Sequence, residues 1–301
     1  MKLATTTGDF AQYAATWEEC VRWIHDAGFR YMDFGGVSDR AFVRDDGWQD
    51  RAKRLNDYAQ NLGMQFVQMH SPDSIPPLDP VRQDELVAMT NRSIEVCAVM
   101  GISQTVVHPG TWPGMTKEEF FKENRAFFSR LFPSMEKTGV NVLVENTTRK
   151  NVPPDTYDLF TGEDMAEFLR YVNHPLLHAV WDTGHGNVDG PQYENIVALG
   201  KELYGLHIHD NNGWADEHSI PYFGTLSLDG LMHGLLDVGY QGYFTFEAIR
   251  ALEYKNGQAP RYKFEGDRRL RHPTAELQMA AEKLLYAIGK HCLTAYDVFE
   301  G

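Results

Sequence analysis

The sequence lacks any run of about 18 apolar residues, the least that a bilayer-crossing helix needs, so no membrane partner is expected. Positive charge is also short. Lys and Arg number 28 against 42 Asp and Glu, for a formal net charge of −14. That balance disfavours nucleic acid as a partner, because its binding leans on Lys and Arg at phosphates. Cysteine is scarce, and Cys20, Cys97 and Cys292 are far apart and odd in number. They argue against a disulfide framework, fit a reducing cytoplasm, and are expected as buried helix residues. Met1 to Phe10 carries one lysine and no long apolar stretch, so no secretory signal is expected and a cytoplasmic location is. Glycine-rich phosphate loops are missing too. After the first apolar run, Thr5-Thr6-Thr7-Gly8-Asp9 holds one glycine, which weakens a doubly wound nucleotide-binding sheet.

What is present is ample core material, with 43% hydrophobic residues in a chain of 301. Short β-type runs alternate with longer segments of helical period. The strand candidates are Lys2–Thr6, Tyr31–Phe34, Gln65–His70, Gln104–His108, Val140–Glu145, Leu177–Asp182, Leu203–His209 and Gly242–Glu247. Thr16 with Glu19, and Thr116 with Glu119, have the spacing of a capping box at a helix start. A last helix is expected from Pro273, with Leu277, Ala281, Leu284 and Ile288 on one face. Eight strands, each followed by a helix and with no linker between halves, predict one (β/α)8 TIM barrel over residues 1–301. His70, His108, Glu145 and Asp182 recur at roughly 37 residues, as a repeated strand–helix unit would.

The chemistry lies in what ends these strands. His70, His108, Glu145, Asp182, His207 and Glu247 each fall at or near the carboxyl end of an apolar run. A barrel delivers those ends to one rim. Carboxylates gathered there would repel one another, and a cation relieves this. Carboxylates with one or two imidazoles suit Mn²⁺, Co²⁺ or Zn²⁺, and more histidine favours Zn²⁺; Mg²⁺ is a further candidate. Alternation in Leu206-His207-Ile208-His209-Asp210 puts His207 and His209 on one face, with His207 the deeper.

These segments resemble the xylose-isomerase-like barrel superfamily of sugar isomerases, epimerases and endonuclease IV-type phosphodiesterases. The resemblance is carried by Val107-His108-Pro109-Gly110, Val144-Glu145-Asn146-Thr147, Asp182-Thr183-Gly184-His185, Leu206-His207-Ile208-His209-Asp210, Asp216-Glu217-His218 and Phe246-Glu247. It implies that Glu145, Asp182, His207 and Glu247 are the metal ligands of the ketose epimerase branch. In the endonuclease branch, positions matching His70, His108, His185, Asp216 and His218 hold further zinc ions. A second tier of these five and His209 thus has two readings, more metal or substrate.

The expected activity is a metal-dependent isomerisation or epimerisation of a sugar, sugar phosphate or polyol-derived ketone through an enediolate, with Glu145 and Glu247 moving the proton. Alternatives are a zinc phosphodiesterase and a lyase or deglycosidase subunit. Trp112, Trp214, Tyr222 and Phe223 are candidates to stack on a sugar ring or to pack as loop residues. Arg250, Lys255, Arg261, Lys263, Arg268, Arg269 and Arg271 read as a solvated loop, an anion grip on a small substrate, or a subunit contact. A homo-oligomer is left open.

Overall fold

Eight parallel strands alternate with helices in a computed structural model that describes residues 1–35, 42, 44–72, 80–249, 251–252 and 273–301. The strands are β1 (Lys2–Thr6), β2 (Tyr31–Phe34), β3 (Gln65–His70), β4 (Gln104–Val107), β5 (Asn141–Glu145), β6 (Leu177–Asp182), β7 (Leu203–His207) and β8 (Tyr243–Phe246). The helices used below are α1 (Trp17–Ala27), α2 (Lys117–Ser129), α3 (Thr183–Asp189) and α4 (Ala275–Ala295). Their order in the sheet is β7-β6-β5-β4-β3-β2-β1-β8. Ile208 brings the two ends together. Its N–H donates to Thr245 O at 2.8 Å, and its carbonyl accepts from Glu247 N at 3.0 Å. The sheet is thereby nearly closed, as a (β/α)8 TIM barrel.

Burial explains the strands. Val106, Leu143 and Val180 fill the barrel interior, while Phe34, Phe66, Trp181 and Phe246 belong to the larger core. The capping at Thr116 is the full reciprocal box; at Thr16, Glu19 reaches the N–H of Ala15 instead. Cys20, Cys97 and Cys292 are buried free thiols on helices.

Three expectations need correction. His108, His209 and Glu247 lie just past their strands, where the chain has begun its turn into the loop. β5 and β8 likewise start one residue later than Val140 and Gly242. The last helix starts at Ala275 with Thr274 as cap, and its inner face is Gln278, Ala281, Glu282, Leu285, Gly289 and Cys292. Leu277 and Leu284 are exposed. The basic run from Arg250 to Arg271 lies outside the described residues.

Candidate metal centre

Glu145, Asp182 and His207 are the last residues of β5, β6 and β7, and Glu247 follows β8 directly. Each offers one ligand atom, and the four atoms all lie within 4.8 Å of one another. Glu145, Asp182 and His207 are buried; Glu247 is the open member, 19% exposed. His207 faces the group through Nδ1, 2.8 Å from Glu145 Oε1 and 3.4 Å from Glu247 Oε2.

The other oxygen of Glu145 meets two more rings. Oε2 lies 3.1 Å from His108 Nε2 and 3.4 Å from His70 Nε2, yet makes no well-formed hydrogen bond. His70 Nδ1 donates to Ser71 O at 2.7 Å, since a carbonyl can only accept. Glu145 is thus enclosed by three imidazoles.

Asp182 is held differently. Oδ1 accepts from the N–H of His185 at 2.7 Å, capping α3, and Oδ2 lies 3.0 Å from His209 Nε2. Asn146 grips the Asp182 main chain from both sides, accepting its N–H at 2.7 Å and donating to its carbonyl at 3.0 Å. Gly184 makes room for this. A Cβ there would stand 1.8 Å from His209 Cε1, so any other residue would displace the ring.

A second cluster adjoins the first. Asp216 Oδ2 lies 3.2 Å from His218 Nε2 and 3.6 Å from His185 Nε2, while Oδ1 is 3.7 Å from His209 Nε2. His218 donates from Nδ1 to Glu247 O at 2.9 Å and stacks on His209 with ring centroids 3.9 Å apart. Its φ of 50° is left-handed, a conformation that persists only where such contacts over-determine it.

Charge follows from these distances. Burial alone would raise the Glu145 carboxyl, but His207 and His108 hold it well below the usual range. Asp182 is lowered against the same burial by His185 and His209. Burial would lower His70, but Glu145 raises it to about 10; His218 rises to about 9 through Asp216. Every ion pair of Glu145, Asp182 and Asp216 among the described residues is with a histidine. Glu145 Oε2 and Asp216 Oδ1, buried without hydrogen bonds, add unused acceptors. Three carboxylates and one imidazole at such separations fit a divalent cation. His70 and His108 with Glu145, and His209 and His218 with Glu247, form two smaller groups of the same kind.

The site also contains residues that the strand-end pattern did not single out. Asp158, buried in the loop after β5, accepts from the N–H of Leu159 at 2.8 Å and is raised to about 7, first by burial. Nothing in its local sequence marks it. Asp33 and Gln68 lie beneath His207, inside the barrel. Trp214, Tyr222 and Phe223 are exposed, and Lys150 sits over the Trp214 ring at 4.0 Å; Trp112 packs partly against the core.

The sequence model of the xylose isomerase-like TIM barrel family matches residues 21–265. The chain belongs to this family. Among curated relatives, an uncharacterized protein of Methanocaldococcus jannaschii, MJ1311, is 26% identical over 194 residues, 60% of this chain and 64% of that one. Fructoselysine 3-epimerase of Escherichia coli O157:H7 is 31% identical over 122 residues, 40% of this chain and 43% of the enzyme. The chain therefore spans less than two thirds of either relative. The structure of D-psicose 3-epimerase with D-tagatose from Clostridium cellulolyticum H10 superposes with a TM-score of 0.77 at 15% identity, covering 97% of this chain and 99% of that one. IolI protein with a bound zinc atom gives 0.75 at 18% identity, covering 96% and 97%. At these identities the likeness is one of fold.

Proposed function

We propose that this protein is a metal-dependent isomerase or epimerase of a sugar, sugar phosphate or polyol-derived ketone. The observation that carries the reading is the approach of Glu145 and Glu247, from β5 and β8, to one nitrogen of His207 at 2.8 and 3.4 Å. Glu145, Asp182, His207 and Glu247 would hold the ion, with Mn²⁺ or Zn²⁺ the best matches and Co²⁺ or Mg²⁺ alternatives. When bound, a divalent ion supplies Lewis-acid polarisation of a carbonyl.

The chain's own residues supply the proton chemistry. One glutamate takes the proton from the carbon beside the carbonyl, leaving an enediolate, and the other returns a proton to that carbon from its own strand. Burial of Glu145 keeps bulk water from exchanging its proton freely, whereas Glu247 opens to the rim. His185, fixed through Nδ1 to Asn146 O at 2.8 Å, turns Nε2 toward Asp216 and the cluster, where it can orient a substrate oxygen. The fructoselysine 3-epimerase similarity supports a carbohydrate-like substrate, although it spans 43% of that enzyme.

Ketoses, sugar phosphates and inositol-type ketones, tested with added Mn²⁺ in deuterated water, should include one that incorporates deuterium at the carbon beside the carbonyl. Glu145→Gln and Glu247→Gln should each cut incorporation by roughly 10²–10⁴-fold. Normal exchange in both variants defeats the two-glutamate reading.

A second reading rests on the two smaller ligand groups, His70–His108–Glu145 and His209–His218–Glu247. Two or three zinc ions per chain with cleavage of abasic DNA would put a zinc phosphodiesterase first. The acidic balance of the chain argues against it.

A further inference from the structure

Beneath the rim, the barrel interior contains a chain of polar side chains where apolar packing is usual. Gln104 Nε2 donates to the main-chain carbonyl of Tyr204 at 3.4 Å and to Gln68 Oε1 at 3.0 Å. Because a carbonyl only accepts, the Gln104 amide has one orientation, and it fixes that of Gln68. Gln68 therefore turns Nε2 away from Gln104, donating to Asp33 Oδ2 at 2.7 Å. The same Nε2 lies 2.9 Å from His207 Nε2, and Asp33 Oδ2 lies 3.5 Å from that ring nitrogen.

The backbone has been shaped to admit this row. Asp33 and Gln68 face each other across a register shift between Met32 and Asp33. A Cβ on Gly205 of β7 would come within 2.7 Å of Gln68 Oε1. All three residues, Asp33, Gln68 and His207, are buried, and Asp33 Oδ1 has no hydrogen-bond partner among the described residues.

His207 has its Nδ1 toward the ligand quartet and its Nε2 toward this row. A ligating imidazole must present a bare nitrogen, so Nδ1 gives up its proton and Nε2 carries the remaining one. That N–H needs an acceptor. Gln68 offers it an amide N–H, a donor; the carboxylate of Asp33 is an acceptor only. We infer that Asp33 is the positioning residue of His207, accepting the Nε2–H so that Nδ1 points at the quartet, while Gln68 and Gln104 hold the carboxylate in place. The inference rests on the metal reading above.

Two measurements test it without assaying activity. Mn²⁺ titration against a chelator should show Asp33→Asn binding about 10–100-fold more weakly than wild type, the range usual for a lost outer contact. In Zn²⁺-loaded wild type with ¹⁵N-labelled histidine, the His207 ring should be protonated at Nε2 and bare at Nδ1. This arm needs no variant to fold. Wild-type affinity in Asp33→Asn, or zinc on Nε2 with the proton on Nδ1, overturns the role of Asp33 alone. Failure of wild type to bind either ion overturns the metal reading and the inference with it.

Discussion

Glu145 and Asp182 end two adjacent strands and are enclosed by imidazoles, while Asp9 and Glu282, equally buried, face each other from the short 3-10 turn after β1 (Thr7–Phe10) and helix α4. Around the first pair, five histidines lie within 3.6 Å. Around the second, Thr5 donates to Asp9 Oδ2 at 2.9 Å, while Asp9 Oδ1 and both oxygens of Glu282 have no hydrogen-bond partner among the described residues. The outcomes are opposite. Burial raises all four carboxyls, but imidazoles overrule it at Glu145 and Asp182 and hold both below their ordinary values. With no such neighbours, burial wins at the second pair: Asp9 is raised well above its ordinary value and Glu282 to about 7. Carboxyl burial alone therefore does not mark a cation site; at the second pair it favours the protonated carboxyl instead.

The largest break in this contrast is Glu145→Ala, which removes the anion that three rings face. Metal affinity should fall beyond the ~100-fold upper range of an outer contact, as a direct ligand is lost. Chelator competition measures it, and an unchanged affinity would remove Glu145 from the ligand set.

Glu282→Gln sharpens the other side. A carboxyl raised on folding is stabilising below its unfolded value and loses that contribution as pH rises through its folded one. For Glu282 the window runs from 4.5 to about 7. Wild type should lose ~2–3 kcal/mol over this window relative to Glu282→Gln, at about 1.4 kcal/mol per unit. Thermal unfolding at pH 5 and pH 8 reads the difference. Equal pH dependence in the two proteins contradicts a carboxyl raised by burial.

Gly184→Ala tests whether the imidazole side of the comparison depends on close packing. Its methyl would overlap the His209 ring, which must then leave Asp182. A loss of about 1–3 kcal/mol in thermal stability is expected from such overpacking. Metal affinity should fall as well, since Asp182 loses the group that aims Oδ2. Wild-type behaviour in both would show that the site does not depend on the contact between His209 and Asp182.

The two regions also differ in how far the sequence revealed them. The barrel was legible because alternating apolar runs and capping pairs such as Thr116–Glu119 are local signals. The quartet was legible because a parallel barrel turns strand-end position into proximity, which offered six residues, and the family resemblance singled out four of them: Glu145, Asp182, His207 and Glu247 are far apart in sequence, yet their ligand atoms gather within 4.8 Å. The same rule could have reached Asp33, one residue before the end of β2, but that strand candidate ends on the apolar Phe34, so no polar side chain marked its terminus. Glu282 was out of reach for a different reason. The leucines at 277 and 284 suggested a helix face, whereas packing chose the neighbouring one and buried Gln278 and Glu282. Helical period gives the spacing of a buried stripe; which stripe turns inward depends on what lies opposite it.

Thr5→Val gives the smallest effect and isolates the last unequal feature, the Thr5 hydroxyl that donates to the second pair. Valine keeps the shape and removes the hydroxyl that donates to Asp9 Oδ2. Loss of one buried hydrogen bond should lower stability by about 1 kcal/mol. Because the Thr5 hydroxyl is what lowers the Asp9 carboxyl against burial and Glu282, its removal should push Asp9 further up. The stability deficit should therefore grow as pH rises, because the lost donor favours the charged carboxyl. A deficit independent of pH would mean that the hydroxyl packs against Asp9 without favouring its charged form, leaving the missing imidazoles as the whole difference between the two regions.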